Sequence, residues 1–443
     1  MLERFLSLLE ELSCLRGRSV LLAVSGGIDS MCLAELFFRS GRPFEVLHCN
    51  FGLRGADSDG DCALVSDWCR ERGIPCHVKH FDTSEYAAAK GISIEMAARD
   101  QRYDWFDQES RARSGAVVAV AHHADDNAET LILNLLRGTG LDGIRGMRPV
   151  RPLPGGGLLI RPLLGFSRAE IERFAAENKV PFREDKTNSD TAFLRNRIRH
   201  EVLPVFRSIN PSFLQTFGRN MAHFDDAAVA ADAWYRTQRD LHFQEGRIGF
   251  DVLRAEGGNY LLYCFLKDHG FPASVAEQIG DMLSAGRPTA GHTWKSEGYR
   301  IALTSSELLF EPLSAPTQDA WTIPAPGVYD CGGVSVEVTL EYHTTASVIR
   351  CPEGESVFDA EVVCFPLPLR RWRAGDWLEP IGLGGRKKIS DLFTDLHADL
   401  FQKEKALVLA GEGSHVFSLL GRRTDESVKV TDRTATLLRI RIQ

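Results

Sequence analysis

The chain has 443 residues, of which 44% are hydrophobic and 25% are charged, and its formal net charge is −8. At roughly 100 to 200 residues per domain, this length predicts two or three domains. The composition excludes a disordered chain, and no apolar run approaches the roughly 20 residues that span a bilayer. The first 18 residues have helical amphipathic spacing, which excludes a signal peptide. We therefore expect a folded, cytoplasmic protein with no membrane partner.

Ten cysteines are scattered between Cys14 and Cys364, and none of them forms a CxxC pair. This excludes a disulfide framework and a site of closely spaced metal-binding thiolates, so buried free thiols are expected. The acidic net charge is unfavourable for nucleic-acid binding, which depends on Lys and Arg at phosphates. Local basic stretches nevertheless exist. One holds Arg195, Arg197, Arg199 and Arg207, and the other holds Arg370, Arg371, Arg373, Arg386, Lys387 and Lys388.

Strand-like and helix-like segments alternate along the first third of the chain. The strand candidates are SVLLAVS, FEVLHCN, PCHVKHFD and AVVAVAH, and amphipathic segments with helical periodicity separate them. Such alternation predicts parallel βαβ units. We expect an α/β domain over residues 1–215, built on a doubly wound parallel sheet with ligands at the carboxyl ends of its strands.

Two further domains are predicted from the remaining pattern. Residues 216–315 turn mainly helical and end in short strands, which indicates a small, mainly helical domain. A Pro- and Ala-rich segment then resembles a linker. Residues 320–443 combine strand-like alternation with two short helices, so we expect a C-terminal mixed α+β domain.

A six-residue segment, SGGIDS, lies between the first predicted strand and the first helix after it. Glycines let the backbone approach an anion closely, and N–H groups at a helix start hold it. The Walker lysine is absent, and Asp29 stands in its place. Because an acid beside a polyphosphate needs a bridging cation, we predict Mg²⁺ at Asp29. The alternative is a plain turn capped by Asp29 or Ser30. The predicted ATP-binding residues are Ser25, Gly26, Gly27, Ile28, Asp29 and Ser30.

This segment resembles the pyrophosphate-loop signature of the ATP pyrophosphatases with an adenine nucleotide alpha hydrolase-like fold. The resemblance implies cleavage of ATP to AMP and pyrophosphate. Further motifs are HCNFGLRG from His48, AARDQRY from Ala97, AHHADDNAET from Ala121, FREDKTN from Phe182, RNRIRHEVLP from Arg195 and RWRAGDWLEPIGLGGRKKISDLF from Arg371. Together these motifs resemble the tRNA(Ile)-lysidine synthase family.

The family resemblance implies a specific reaction. Such enzymes adenylate the wobble cytidine of an isoleucine tRNA with a CAU anticodon at the oxygen on carbon 2. The ε-amine of free L-lysine then displaces AMP, and the product, lysidine, reads A instead of G. The resemblance therefore implies ATP, Mg²⁺, L-lysine and tRNA(Ile) as cofactors and partners.

The chemistry of the residues agrees with this reaction. An amine with a pKa near 10.4 costs roughly 4 to 5 kcal/mol to deprotonate at pH 7, so acids or a base are needed nearby. The segment HHADDNAET supplies His123, Asp126 and Glu129 at a helix start after a strand. A capping box of Asp126 with Glu129 is the structural alternative, and both roles can coexist. Which acid holds the ammonium and which holds Mg²⁺ is left open.

Arginines complete the predicted site. Arg99 and Arg102 are neighbours on a helix, and the resemblance implies that they neutralise the α-phosphate or orient the adenylated base. Arg195 and Arg199 share one helical face, with Arg195 assigned to catalysis and Arg199 to tRNA. Phe51 stands where relatives often have His, which leaves stacking on a base as its role.

The C-terminal basic residues are predicted to contact tRNA phosphates. These residues are Arg370, Arg373, Arg386, Lys387 and Lys388. A tRNA thiolase, a ligase for a small metabolite and an inactive nucleotide-binding protein are the competing interpretations. The missing CxxC pairs weigh against the first, and the intact loop with Asp29 and Asp126 weighs against the last. No pattern encodes the oligomeric state, so a homodimer is left open.

Overall fold

A computed structural model describes residues 1–183, 194–286, 291–313, 318–343 and 351–442. The predicted motif FREDKTN lies outside these residues from position 184 onward. The chain divides into two compact units, Met1–Ala233 and Trp234–Gln443. One helix, Phe213–His242, runs across this division and also across the domain boundary predicted near residue 215. The three predicted domains stay a prediction.

The first unit contains a six-stranded sheet and helices on both of its faces. Its helices are α1 (Leu2–Glu11), α2 (Ile28–Arg39), α3 (Ala56–Arg72), α4 (Thr83–Lys90), α5 (Ile94–Ala112), α6 (Ala124–Arg137), α7 (Leu141–Ile144), α8 (Arg168–Asn178), α9 (Leu194–Arg197), α10 (Leu203–Ile209) and α11 (Phe213–His242). Its strands are β1 (Val20–Ala23), β2 (Glu45–Asn50), β3 (Cys76–His80), β4 (Val117–Ala119), β5 (Val150–Pro152) and β6 (Leu158–Ile160).

The strand order of this sheet is β3-β2-β1-β4-β6-β5, and all neighbours are parallel except β5, which runs antiparallel to β6. The predicted parallel α/β fold and its first four strands are confirmed. The chain leaves β1 toward β2 on one side and reaches β4 on the other, so the order reverses between β1 and β4. Such a switch point opens a crevice at the carboxyl ends of the strands.

Alternation along the central strands builds the two layers of the core. Leu22 packs with Met31 in a cluster under one set of helices, and Leu21 packs with Trp105 and Phe106 in a cluster on the other face. Side chains of consecutive strand residues point to opposite faces, and both faces of a parallel sheet are covered. The near-continuous apolar run VLLAV is the sequence pattern of such a strand.

The second unit combines helices with antiparallel sheets. Its helices are α12 (Phe250–Arg254), α13 (Gly258–Asp268), α14 (Ala273–Ser284), α15 (Ile389–Asp395) and α16 (Leu400–Lys405). Its strands are β7 (Arg247–Gly249), β8 (Thr293–Lys295), β9 (Tyr299–Leu303), β10 (Glu307–Pro312), β11 (Ala320–Ile323), β12 (Gly327–Asp330), β13 (Ser335–Tyr342), β14 (Glu355–Asp359), β15 (Leu367–Arg371), β16 (Trp377–Leu378), β17 (Lys387–Lys388), β18 (Leu407–Ala410), β19 (Val416–Leu419), β20 (Arg423–Thr424) and β21 (Thr436–Ile442).

These strands form three larger sheets and one two-stranded ribbon. The sheet orders are β7-β10-β9-β8, β11-β15-β18-β19-β20 and β12-β13-β21-β14, and the ribbon pairs β16 with β17. Phe401 of α16 is buried against Ala302 and Leu309 of β9 and β10. Arg247 also donates to Asp399 over 2.6 Å. The predicted mainly helical segment and the mixed α+β segment are thus both present and joined by contacts within one unit.

Candidate active site

The segment SGGIDS forms a tight turn from β1 into α2, at the carboxyl edge of the sheet. Gly26 has a φ of +95°, and a Cβ there would lie 3.2 Å from the Cβ of Asp61. Gly27 is the residue before the helix, and the Ser30 hydroxyl accepts a hydrogen bond from the Ser25 N–H over 3.0 Å. The positive φ of Gly26 is a backbone conformation that glycine adopts without strain. The loop therefore stands at the switch point with the helix start behind it, as an anion site requires.

Asp29 lies in the first turn of α2, where an arginine from another helix holds it. The guanidinium of Arg168 donates to both Asp29 carboxylate oxygens, over 2.9 and 2.7 Å. Burial raises the pKa of Asp29, with a contribution from nearby Asp126, although His123 and Arg168 act to lower it. The Nε2 atom of His123 lies 3.7 Å from this carboxylate. Asp29, the proposed metal ligand, thus lies close to His123, which follows β4, and is bound by Arg168, which begins α8.

His123 and Asp126 form the start of helix α6, directly after β4. The His123 backbone N–H donates to Asp126 over 3.1 Å, and the His123 Nε2 atom lies 3.4 Å from the same carboxylate oxygen. Although burial acts to raise it, the pKa of Asp126 is lowered by His123 and Arg195. The imidazole thus lies between two carboxylates whose pKa values move in opposite directions. Asp126 caps the helix start with His123 rather than with Glu129, which differs from the capping box considered above.

Glu129 is fully buried and receives two arginines. Arg195 donates to Glu129 over 2.8 Å, and Arg199 donates to it over 2.6 and 3.0 Å. Both guanidiniums also approach Asp126, over 3.3 and 3.5 Å. Between α9 and α10 the backbone forms a π-helical turn, Ile198–Val202, which carries Arg199. Such turns are rare and frequent at functional sites. The predicted basic face of this helix therefore contacts the acids of α6.

His122 lies beside His123 but in a different electrostatic environment. Its pKa is lowered to about 4 by burial, with Arg161, Arg195 and Arg102 acting in the same direction against Asp126. Its Nδ1 atom is buried and has no hydrogen-bond partner within the described part of the chain. The imidazole is therefore neutral at physiological pH.

Three arginines lie close to Tyr103. We call Arg99, Arg151, Arg161 and Tyr103 the Tyr103 cluster. The guanidinium carbons of Arg99 and Arg151 lie 5.1 and 4.6 Å from the Tyr103 ring centroid. Arg161 follows β6 directly, is 8% exposed and donates to the backbone oxygen of Arg148 over 2.7 Å. Burial lowers the pKa of Arg161.

Arg102 lies next to this cluster, over an aromatic pair. Its guanidinium carbon is 5.3 Å from the ring centroid of Phe51, which stacks on Phe81 with centroids 5.2 Å apart. Phe51 follows β2, so its ring reaches the same sheet edge as the phosphate loop. Cation–π contact and stacking rigidify a flat surface that suits a nucleobase.

Sequence reasoning missed four arginines of this site, Arg151, Arg161, Arg168 and Arg183. Arg168 begins α8 directly after Ser167, whose backbone N–H donates to Glu170 over 2.7 Å in a capping box. Arg161 follows a three-residue strand that was not predicted. Arg183 donates its backbone N–H to the Gly26 oxygen over 3.0 Å. Because the strand before Arg161 is too short to be recognised by its pattern, the sequence carried no signal for this residue.

The C-terminal basic residues differ in exposure and in whether a carboxylate of the protein already binds them. Arg370 is buried, and its guanidinium donates to both oxygens of Asp376 over 2.7 and 2.9 Å. This places Arg370 inside the fold and not on a surface that tRNA could reach. Arg373, Arg386 and Lys388 are exposed, and Lys387 pairs with Asp395. Arg386 lies 4.1 Å from the ring centroid of Trp377.

Two features are absent from the described residues. Among them, no group of three or more His, Cys, Asp or Glu side chains is arranged to hold a metal ion by itself. No described helix combines the length and the apolar character needed to cross a membrane.

Comparison with known proteins gives consistent matches. A PP-loop domain family matches residues 2–206. A tRNA(Ile)-lysidine synthase of Parabacteroides distasonis is 34% identical over 428 residues, which cover 95% of this chain and 94% of the relative. That of Bacteroides thetaiotaomicron is 34% identical over 420 residues, with 95% and 94% covered. That of Geobacter sulfurreducens is 31% identical over 450 residues, with 96% and 93% covered.

Proposed function

Because this chain belongs to the tRNA(Ile)-lysidine synthase family, we propose that it joins free L-lysine to the wobble cytidine of a CAU-anticodon tRNA(Ile). The reaction consumes ATP and yields AMP, pyrophosphate and lysidine. The observation that carries the proposal is the meeting of two acids, Asp29 and Asp126, at one imidazole beside the phosphate loop. The lysidine synthase match over 95% of the chain supports the substrate.

The first step is adenylation of the cytidine. Its carbon-2 oxygen attacks the α-phosphorus of ATP, a new P–O bond forms, and the bond to the β-phosphate oxygen breaks. Pyrophosphate leaves into the loop of residues 25–30, whose backbone N–H groups at the start of α2 hold its charge. We assign Arg102 and Arg195 to neutralising the charge at the α-phosphorus; the positive charge of both also lowers the pKa of His122.

The second step is attack by lysine. The ε-amine forms a bond to carbon 2, and the bond from carbon 2 to the AMP oxygen breaks. An ammonium must first lose a proton, at a cost of roughly 4 to 5 kcal/mol at pH 7. Asp126 keeps its charge and can hold the ammonium, whereas Glu129 is already occupied by Arg195 and Arg199. His123 lies between the two acids and can pass the proton on.

Mg²⁺ fits this site only together with ATP. Such ions are usually held by one or two carboxylates plus phosphates and water. Asp29 supplies a carboxylate of this kind at the loop, on condition that Arg168 releases one of its oxygens. When bound, the ion would neutralise charge on the phosphates.

The basic residues outside the first unit extend the proposal to tRNA binding. Arg373, Arg386, Lys387 and Lys388 are assigned to phosphate contacts, and Arg199 keeps a tRNA role because a third of its side chain is exposed. We exclude Arg370 because Asp376 already occupies its guanidinium. Residues 1–215 would act as the catalytic domain, with 216–315 and 320–443 as tRNA-contacting domains. Because ATP and tRNA are its substrates, we propose that the enzyme acts in the cytoplasm, and we leave a homodimer open.

The test uses radiolabelled L-lysine, ATP, Mg²⁺ and unmodified CAU-anticodon tRNA(Ile). We expect lysine to enter the RNA, AMP and pyrophosphate to form in equal amounts, and no label when the wobble cytidine is replaced by uridine. Raising the salt concentration should weaken tRNA binding strongly, because phosphate contacts release counterions. Release of pyrophosphate without tRNA, and no label in the RNA, would instead indicate a ligase for a small metabolite.

A further inference from the structure

The phosphate loop rests against the first two turns of helix α3, where Asp61 lies directly behind it. Asp61 is 8% exposed, and a Cβ on Gly26 would lie 3.2 Å from its Cβ and 3.5 Å from its backbone oxygen. Two arginines bind the Asp61 carboxylate: Arg183 donates to it over 2.9 Å, and Arg54 donates to it over 2.8 Å. The carboxylate behind the loop is thus held by arginines from two other segments of the chain.

Arg183 contacts the loop and helix α3 at the same time. Its backbone N–H donates to the Gly26 oxygen over 3.0 Å, while its guanidinium binds Asp61 and, over 3.0 Å, Asp57. The two acids are four positions apart on α3, so they lie on one face of the helix. A planar guanidinium with several donors is suited to binding two carboxylates at once. The side chain of Arg183 thus fixes its own backbone N–H against the loop.

A glycine inside α3 makes room for this guanidinium. A Cβ on Gly60 would lie 2.8 Å from the Cζ atom of Arg183 and 3.0 Å from both of its terminal nitrogens. The three distances are nearly equal, so the guanidinium lies flat over the position that a Cβ would occupy. Glycine weakens the interior of a helix, and we therefore attribute Gly60 to this packing.

The contact with Gly26 decides which way the next peptide N–H points. In a trans peptide the C=O and the N–H lie in one plane and point in opposite directions. Because the Gly26 oxygen points at Arg183, the Gly27 N–H points away from it. Gly27 is the residue before α2, where the N–H groups of a helix start hold an anion. The Ser25 N–H, in contrast, is already bound by the Ser30 hydroxyl.

We infer that Arg183 is a positioning residue, which turns the Gly27 N–H toward the pyrophosphate moiety of bound ATP. Asp57 and Asp61 hold its guanidinium, and Gly60 leaves space for it. This inference rests on the proposed function, which assigns pyrophosphate to the loop. Arg183 contacts neither substrate in this scheme and acts only through the loop. Its loss should therefore weaken the binding of pyrophosphate, whereas a role in folding alone would lower stability.

The most direct test is Gly60→Ala, because it moves the guanidinium and removes no charge. The added methyl should displace the end of the Arg183 side chain from Asp61. Alanine also favours the helix, so the midpoint of urea unfolding should stay the same or rise. We expect the dissociation constant of inorganic pyrophosphate, measured by titration calorimetry with Mg²⁺, to rise about tenfold, the loss typical of a hydrogen bond to a charged group. That of AMP should stay unchanged, because only pyrophosphate is assigned to the loop.

Arg183→Gln and Asp61→Asn remove the two ends of one ion pair. Each should raise the dissociation constant of pyrophosphate about tenfold. The double variant should lose no more than Asp61→Asn alone, because both changes act through one contact. Arg183→Lys should recover part of the loss, since an ammonium pairs with one acid but lacks the planar fork that binds two. Arg183 is exposed, so its variants serve if Asp61→Asn does not fold.

The matched control is Arg70→Gln, which removes an exposed arginine of the same helix that pairs with Asp67 over 2.7 Å. It should leave both dissociation constants and the unfolding midpoint unchanged.

The other outcomes overturn the inference. Unaltered affinity for pyrophosphate in folded Gly60→Ala and Arg183→Gln proteins would show that the loop keeps its shape without this contact. Equal weakening of pyrophosphate and AMP, together with a lower unfolding midpoint, would assign Arg183 to folding. An unaltered protein that binds pyrophosphate but does not label tRNA would instead reject the proposed function, so the two failures are distinguishable.

Discussion

Two groups of arginines near His122 are balanced in different ways. On the side of the phosphate loop, Arg168 contacts Asp29, and Arg195 and Arg199 contact Glu129. On the other side, Arg99 and Arg151 lie over the Tyr103 ring and Arg161 interacts with all three of these residues. None of the three arginines has a carboxylate partner among the described residues. The arginine charges beside the phosphate loop are thus neutralised by carboxylates of the protein, and we call this region the paired side. The Tyr103 cluster, in contrast, has a net positive charge.

This difference suggests what each side does. Preorganised ion pairs hold catalytic groups in place before the substrates arrive, so the reaction needs little reorganisation. An unbalanced group of charges gains most when a ligand supplies the counter-charge. Changes on the paired side should therefore affect chemistry and stability, whereas changes on the other side should affect ligand affinity with little cost to folding.

The largest effect is expected from Asp29→Asn on the paired side. The amide keeps the size of the side chain but removes the charge that the proposed Mg²⁺ needs. We expect tRNA-dependent pyrophosphate release to fall by about 10²-fold or more, the loss seen when one preorganised electrostatic group is removed. The affinity for tRNA, measured by filter binding, should be unchanged.

Arg168→Gln is the matched control for this prediction, because it breaks the same ion pair and leaves the carboxylate. Its loss of activity should be much smaller. Equal losses in the two variants would show that Asp29 acts only as an anchor for Arg168. Wild-type pyrophosphate release in Asp29→Asn would refute the metal role altogether.

The second largest effect is a loss of stability in Glu129→Gln. Glu129 is fully buried, and the change leaves the charges of Arg195 and Arg199 without their shared carboxylate. Removing one member of a buried ion pair costs about 3 to 5 kcal/mol, and we expect about 2 to 4 kcal/mol because both guanidiniums remain partly exposed. Urea unfolding measures this cost. A cost near zero would contradict a preassembled paired side.

The paired side illustrates what the sequence could predict. SGGIDS and HHADDNAET are continuous segments that follow strands, so the loop, His123 and Asp126 could be placed at one sheet edge from the alternating pattern alone. Arg168 lies 139 positions from Asp29, and nothing local in either segment specifies their contact. The partners of Glu129 are likewise 66 and 70 positions away.

The Tyr103 cluster was missed for a related reason. Strands β5 and β6 have only three residues each, too few for a pattern of alternation, so Arg151 and Arg161 could not be assigned to a strand end. Arg370 shows the opposite error. A charged residue in a basic stretch was interpreted as surface, although its strand turns it toward Asp376 inside the fold.

A moderate effect on stability is expected from the protonation of His122 as the pH is lowered. Its pKa is about 4 in the folded protein and 6.5 in the unfolded chain, so between these values only the unfolded state binds the proton. Stability is therefore full above about pH 6.5 and falls as the pH is lowered toward about 4. We expect His122 to contribute about 1 to 2 kcal/mol of loss between about pH 7 and pH 5.

Urea unfolding of the unaltered protein and of His122→Gln, at both pH values, measures this contribution as a difference of differences. The variant should lose less stability on acidification. An identical loss in the two proteins would show that His122 is protonated without strain, and that the arginines around it impose less positive potential than their positions indicate.

The smallest effect is expected for Arg151→Gln, whose free energy of unfolding should hardly change. This variant therefore contrasts most sharply with Glu129→Gln. The change removes a cation–π contact with Tyr103, worth about 0.5 to 1 kcal/mol at such sites. It also relieves the repulsion with Arg161 and removes a buried donor without a partner. These terms oppose each other, so the free energy of unfolding should change by no more than about 0.5 kcal/mol. A loss as large as that of Glu129→Gln would show that both sides are held by their own contacts, and that no charge on the second side is reserved for a ligand.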